Sequence, residues 1–313
     1  MDPRLLPLNA VLALVHADGT WFHDLAEQGF RLHAIELKVH SSAGIAVTDA
    51  VVYRREPDLV LLCEGKSGRN VEAAQARKYA AADAAALRRS GALPVEVAQD
   101  ATVSPLFVVR DEVRADIEAG LRDCGVAALV LSIGRGVARL DGPCPAGLEA
   151  FDRRDASKRW PPGRVRADHQ SPIEELAELL AQQIGAAQAR RLSVLDLEEA
   201  AARIYRLWPQ LSLSGRRDFV RRLKDCARHL ANNALKGAIR LEPGSSDVPA
   251  RILIERTPAD RDARGMPQAW QAQSRHLAAD LGRGGEPTVE EDPQLSLDDL
   301  DLGETDGPDR RPE

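Results

Sequence analysis

Two short apolar runs, Ala50-Val51-Val52-Tyr53 and Leu59-Val60-Leu61-Leu62-Cys63, stand with five residues between them. That spacing constrains the local fold more than any other feature of the chain. Both runs have the aliphatic, β-branched or aromatic composition of buried strands. The intervening Arg54-Arg55-Glu56-Pro57-Asp58 is polar and carries a Pro-Asp turn signal, so the runs read as a β-hairpin. With the turn centred between Glu56 and Pro57, paired residues have numbers that sum to 113, and Asp49 faces Glu64. Cross-strand neighbours hold their Cβ atoms ~5 Å apart. Side chains alternate along a strand, so Lys66 shares the face of Glu64. The spacing therefore predicts that Asp49, Glu64 and Lys66 converge.

Those residue types suit one chemistry. Mg²⁺ and Mn²⁺ favour hard oxygen ligands and take one or two carboxylates, with waters and substrate phosphate completing the shell. A cation so held orients water, lowers its pKa and neutralises charge on a phosphate. A nearby lysine stabilises that charge or orients the water. A lone Glu-x-Lys is usually a solvated ion pair. An apolar strand that ends in Glu64-Gly65-Lys66 has no packing reason to do so. The segment Asn70 to Ser90 is Ala-rich and helix-favouring, with Asn70 as its expected cap, and it carries Gln75 and Tyr79.

Asp49, Glu64-x-Lys66 and Gln75-x-x-x-Tyr79 together resemble the core of the PD-(D/E)XK nuclease superfamily, in its RecB-type branch, over roughly residues 18 to 135. The resemblance implies an αβββαβ fold in which Asp49 and Glu64 bind Mg²⁺ or Mn²⁺ and Lys66 supports catalysis. It implies that Gln75 and Tyr79 position DNA and the catalytic groups. Glu27, on an expected first helix from Trp21 to Phe30, matches a supplementary metal ligand of some members, and His16 loosely matches an upstream histidine. This chain departs from the pattern in two places. Thr48 stands where the family often has proline, and Gly65 stands where an apolar residue is commoner, so the strand is expected to bulge or end there. Pro57-Asp58 is not the motif aspartate. Six residues of strand separate Asp58 from Glu64 by ~20 Å, too far to share one cation.

The flanking segments extend this α/β reading. Leu32 to Val39 alternates like a first strand, and its Glu36-x-Lys38 reads as a solvent-facing pair. Leu106 to Val109 reads as a fourth strand, Asp111 to Cys124 as a helix, and Ala128 to Ile133 as a further strand. At 313 residues the chain has room for about two domains. No apolar run approaches the ~20 residues that span a bilayer, and the Met-Asp-Pro-Arg start lacks the build of a signal peptide. Cys63, Cys124, Cys144 and Cys226 show no Cys-x-x-Cys spacing, which suits a reducing cytoplasm rather than zinc or disulfides. The Ala- and Arg-rich, Lys-poor composition points to a GC-rich bacterial genome.

The net charge of −6 divides unevenly. Residues 283–313 hold eleven acids against three arginines, a net of −8, which leaves about +2 for the rest. That Gly-, Pro- and Asp-rich tail reads as disordered. Its Gln294-Leu295-Ser296-Leu297 loosely resembles a sliding-clamp-binding peptide, with Asp298 where the aromatic residue would stand. Residues 146–170, with six Arg or Lys around Trp160-Pro161-Pro162, read as a basic linker.

From Ser171-Pro172 onward, helices are expected at roughly 172–188, 196–208 and 214–233, followed by a hairpin from Ala238 to Glu255. Three helices and a hairpin suggest a winged-helix-like module. In its third helix Phe219, Leu223, Cys226 and Leu230 form an apolar stripe, while Arg217, Arg221, Lys224 and Arg228 form a basic face. Phosphate binding needs such a face, although many charged helix faces are merely solvated.

The expected organisation is a restriction-endonuclease-like αβββαβ core with a mixed sheet at 1–145, the linker at 146–170 and the helical module at 171–258. A helical segment and the acidic tail follow at 259–313. The expected function is a metal-dependent nuclease acting on DNA, in repair, mobile-element or phage-defence work; a non-catalytic DNA-binding protein that keeps the fold is the alternative. No Gly-x-x-x-x-Gly-Lys-(Ser/Thr) motif occurs, so any ATPase or helicase would be a separate partner.

Overall fold

A computed structural model describes residues 3–16, 22, 24–89, 91–93, 97–98, 100–134, 137–142, 148, 163–245 and 249–255. The expectations for the tail, for Cys144, for Trp160 and for most of the linker lie outside the described residues.

The chain opens with a helix that the sequence did not advertise. In α1 (Leu6–Val15) all ten residues are buried. An evenly apolar segment has no polar face to give a helical period, so it cannot be told from a strand by pattern. Helix α2 covers only Asp24–Glu27, shorter than the span expected from Trp21 to Phe30. Then come β1 (Arg31–Ser41), β2 (Gly44–Arg55) and β3 (Asp58–Lys66). The β2–β3 register pairs Ala50 with Cys63 and Arg55 with Asp58, so the sum of 113 holds along the whole ladder.

The expected long helix after β3 is two helices, α3 (Ala73–Ala80) and α4 (Ala84–Arg89). The residue at the N-terminus of α3 is Glu72, not Asn70, and it makes no side-chain cap. The break follows from Asp83, whose carboxylate accepts from the Ala86 amide at 2.6 Å and so starts a second helix. Next come β4 (Thr102–Arg110), α5 (Arg114–Asp123), β5 (Leu129–Gly134) and β6 (Val137–Asp141).

The six strands form one mixed sheet in the order β1-β2-β3-β4-β5-β6. The β3–β4 and β4–β5 pairs are parallel and the others antiparallel. Both faces are covered, which explains the unbroken apolar runs of β3 and β5. Leu59, Leu61 and Cys63 pack toward α1, whereas Val60, Leu62, Phe107 and Val109 pack with Ala76 and Tyr79 of α3.

The second module contains α6 (Ile173–Ala189), β7 (Val194–Asp196), α7 (Leu197–Ile204), α8 (Leu213–Asn232), β8 (Ile239–Glu242) and β9 (Arg251–Ile254). The three helices and the hairpin match expectation; β7 is additional and completes an antiparallel sheet of order β7-β9-β8. The module shares its core with the first. Leu12 and Leu14 of α1 belong to the same buried cluster as Leu176, Leu180, Phe219 and Leu223. Polar ties reinforce this join. Asn9 pairs with both the N–H and the C=O of Val165 at 2.9 Å, and Arg4 reaches Asp168 with two bonds of 2.8 and 2.6 Å.

Candidate active site

The β2–β3 ladder stops at Ala50 and Cys63, and side chains take over where it stops. The Thr48 hydroxyl donates to the Cys63 carbonyl at 2.8 Å, and the Asp49 carboxylate accepts from the Gly65 N–H at 2.5 Å. These two residues therefore replace backbone ladder bonds with their own polar groups, which satisfies β3 and carries Asp49 Oδ2 to the backbone of the Glu64-Gly65-Lys66 segment.

Glu64 is 5 % exposed and each of its oxygens is partnered. Oε1 accepts from Lys66 Nζ at 2.9 Å and from the Gln75 amide at 3.0 Å. Oε2 lies 2.7 Å from Tyr79 Oη, which is also 2.6 Å from the Val47 carbonyl, so one phenolic proton serves two acceptors. Gln75 donates to Tyr79 Oη at 2.9 Å and accepts from Lys66 at 3.0 Å. The backbone explains the convergence. Glu64 and Lys66 are two apart on a regular strand, and Gln75 and Tyr79 are four apart on one helix face. The structure thus brings Glu64, Lys66, Gln75 and Tyr79 into one hydrogen-bonded group beside Asp49.

The electrostatics are asymmetric. Burial, and then the charge of Glu64, raises the Asp49 carboxyl to about 8, against the pull of the Gly65 N–H and of Lys66; Glu36 adds to the rise. Burial and Glu64 likewise hold the Tyr79 phenol protonated. Cys63, packed on the α1 side, is pushed up by burial and by both carboxylates and is an inert thiol.

Gly65 neither bulges nor ends the strand. It pairs with Val108 inside a continuous β3. A Cβ there would lie 2.9 Å from Pro7 Cβ and 3.0 Å from Asp49 Oδ2, so glycine is required by the close approach of α1 and of the aspartate.

Two other expected members stand elsewhere. Glu27 is exposed at the end of α2. The next residue, Gln28, accepts from Arg54 at 3.2 Å, and Arg54 lies five strand residues, ~16 Å, from Asp49. Glu27 is therefore beside the turn end of the hairpin, not beside the carboxylates. His16 caps the far end of α1, nine helical residues (~13 Å) beyond the Pro7 that touches the site.

On α8, Phe219, Leu223, Cys226 and Leu230 are buried as expected. Arg217, Arg221 and Arg228 are exposed and Lys224 is half-buried. This face is less basic than its cations suggest, because Arg221 pairs with Asp218 at 2.9 Å and Arg228 with Asp225 at 3.0 Å.

One charged residue was misread. Glu36 does not face solvent. Its backbone has φ +52°, uncommon for a residue with a side chain, and its carboxylate is 3.4 Å from His169 Nδ1. Ser212 Oγ donates to the Glu36 carbonyl at 2.6 Å, and Gly215, in the first turn of α8, leaves only the room that this carboxylate needs. Flanking pairs Ile35–Ala50 and Leu37–Thr48 set Glu36 across from Asp49. The tight Ser41–Gly44 turn was the signal that could have given this register.

Among the described residues no group of three or more His, Cys, Asp and Glu is placed to hold a metal. The site offers two carboxylates, and any cation there would complete its shell with water and substrate. Compared with known proteins, the chain matches no family model, no curated protein and no solved structure.

Proposed function

We propose that the protein is a metal-dependent nuclease that hydrolyses phosphodiester bonds of DNA, built on a PD-(D/E)XK-type core. The observation that carries this reading is the Lys66–Glu64–Gln75–Tyr79 network with Asp49 beside it. Two hard carboxylates and a lysine are the donor set that Mg²⁺ or Mn²⁺ accepts. Held by Asp49 and Glu64, such a cation would supply an activated water and neutralise phosphate charge. Glu64 is held in place for that task by Gln75 and Tyr79. Lys66, anchored by Glu64 and Gln75, brings a positive charge to the developing phosphorane and orients the water. The Asp49 carboxyl is raised first by burial and then by the charge of Glu64, and a divalent cation held by both carboxylates would favour its ionised form.

The second module supports a DNA reading. Its α-β-α-α-β-β order and β7-β9-β8 sheet suit a winged-helix-like reading, on which α8 would be the helix offered to the major groove. The net cations on its exposed face would contact phosphate.

A second reading, a non-catalytic DNA-binding protein that keeps the core, is favoured by one observation. Asp49 already bonds the Gly65 amide, and a neutral carboxyl would suit a purely structural role. Cleavage of single-stranded, linear duplex and supercoiled DNA in Mg²⁺ or Mn²⁺ separates the two. Metal-dependent cutting that Lys66→Ala and Asp49→Ala both abolish is the expected result. No cutting by the wild type, with DNA bound equally by both variants, would leave the binding reading.

A further inference from the structure

Helix α8 presents solvent with one continuous stripe. Leu213, Arg217, Arg221, Lys224 and Arg228 follow the four- and three-residue steps of a single helix face, away from the buried Phe219, Leu223, Cys226 and Leu230. At the ordinary helical rise the stripe is ~22 Å long. Leu213, at its head, is 71 % exposed, the barest large apolar side chain among the described residues. Arg221 is tied to Asp218 and Arg228 to Asp225, whereas Arg217 and Lys224 have no ion pair among the described residues. Along the whole helix six arginines and lysines stand against two aspartates, so the stripe keeps a net positive charge.

A row of phosphates uses the cations of such a stripe and leaves the leucine bare. A polypeptide that sets leucines among carboxylates uses both, and this chain carries one. Residues 283–313 hold eleven acids against three arginines. Within them Glu290-Glu291-Asp292 and Asp298-Asp299-Leu300-Asp301 are interleaved with Leu295, Leu297 and Leu302. The tether starts in the same module. Strand β9 ends at Ile254, and the next N–H, of Glu255, donates to the Ala238 carbonyl at 2.9 Å, beside the β8 strand that packs on α8. Residues 256–289 lead from there to the first acidic run. A flexible chain of that length reaches ~30 Å, more than the length of the stripe. Tethering also holds a segment at a local concentration on the order of mM. One exposed ion pair contributes little, but several acting together with a covered leucine suffice at that concentration.

We infer that the α8 stripe of Leu213, Arg217, Arg221, Lys224 and Arg228 is the docking surface for the chain's own acidic segment, residues 290–302, which covers it in competition with DNA. The carboxylates meet Arg217 and Lys224, and a leucine of the segment packs on Leu213. The docking stands by itself; its consequence for DNA rests on the reading of α8 as a DNA-contacting helix. Where tail carboxylates already neutralise the cations, DNA releases fewer counterions on binding, so its affinity is lower and falls less steeply with salt. Only a duplex that offers more than loose phosphate contact displaces the tail, and the device therefore suppresses non-specific binding.

The first test uses the full chain without divalent metal, so that bound DNA stays intact. Glu290→Gln, Glu291→Gln, Asp292→Asn, Asp298→Asn, Asp299→Asn and Asp301→Asn together remove the tail charge and keep its length. This variant is expected to bind duplex DNA about tenfold tighter than the wild type at low salt, with a steeper salt dependence. Arg217→Ala with Lys224→Ala is expected to abolish that gain. The second test adds a labelled peptide of residues 283–313 to a chain ending at residue 282, which keeps every described residue. Saturable binding is expected, weakened about tenfold by Arg217→Ala with Lys224→Ala and about threefold by Leu213→Gln. A peptide that does not bind, or binds regardless of the α8 substitutions, overturns the proposal. So does a gain in DNA affinity that persists in the Arg217/Lys224 variant, because the tail then acts by long-range repulsion alone. A wild type that sediments as a dimer and becomes monomeric on tail neutralisation also overturns it, since the tail then docks on a second copy. Failure of the nuclease reading looks different: no form of the chain cuts DNA, whatever the peptide binds.

Discussion

Glu36-Leu37-Lys38 on β1 and Glu64-Gly65-Lys66 on β3 have the same spacing, and the two segments are separated only by β2. On β3 the backbone is regular, so glutamate and lysine share a face and meet at 2.9 Å. On β1 a positive φ at Glu36 turns the strand over, so the glutamate goes to His169 and the start of α8, while Lys38 goes to solvent. A motif of two residues is therefore a statement about geometry only where the strand between them is straight. The surroundings differ as much. Glu64 is buried and satisfied by a lysine, an amide and a phenol, whereas Glu36 faces a histidine whose pKa it raises.

The largest contrast is expected in catalysis. Lys66→Ala should lower the cleavage rate at saturating DNA by about two to three orders of magnitude, the loss typical of a removed charge stabiliser. Lys38→Ala should leave that same rate within about threefold. Equal losses at the two lysines would erase the distinction between the segments.

Next in size is the stability of the Glu64 network. Tyr79→Phe strips a hydroxyl from a buried carboxylate and should destabilise the fold by ~1–3 kcal/mol in urea titration. Ser212→Ala removes both the part-buried bond to the Glu36 carbonyl and the α8 cap on the Gly215 amide, and should cost ~1–2 kcal/mol. A negligible cost would mean that the β1 segment is not anchored through Ser212.

Smaller again is the pH dependence, which separates the two acids in a metal-free sample. Asp49 is raised in the fold, so its contribution is complete below the ordinary carboxylate range and is lost as pH rises through about 8. His169 is also raised, chiefly by the Glu36 carboxylate beside it, so its contribution is complete below about 6.5 and is lost as pH climbs past its folded value. Melting temperature should therefore fall between pH 5 and pH 9. Asp49→Asn should remove the carboxylate part of that fall, and added Mg²⁺ should offset it in the wild type. Glu36→Gln should remove the histidine part and, because Glu36 also raises Asp49, a smaller share of the carboxylate part. A flat wild-type profile would contradict both assignments.

The least effect is expected from Glu36→Gly. Glycine accepts φ +52° freely, and that gain of up to ~1 kcal/mol offsets the lost His169 contact. The net change in unfolding free energy should be near zero, in contrast with a substantial loss for Gly65→Ala at the Pro7 contact.

Much of the candidate site was legible because it is local. A tight turn and the two-residue period of strands set the 113 register, and with it the neighbourhood of Asp49, Glu64 and Lys66. The four-residue step of a helix set Gln75 beside Tyr79. The misreadings share a cause. Helix α1 is apolar on every side and so carries no period, and Glu27 was tied to a helix that in the described residues spans four positions. The split of the expected 70–90 helix depended on one capping aspartate.

By itself, then, the sequence determined the β2–β3 hairpin, the face shared by Glu64 and Lys66, and the succession of β1 to β5, because each depends on neighbours within about twenty residues. Only the tertiary structure decided why residue 65 is glycine and where Glu36 points. Those features are set by Pro7, His169, Ser212 and Gly215, partners brought in from 58 to 179 positions away by a core that the two modules share. No local pattern in the chain records an approach of that range.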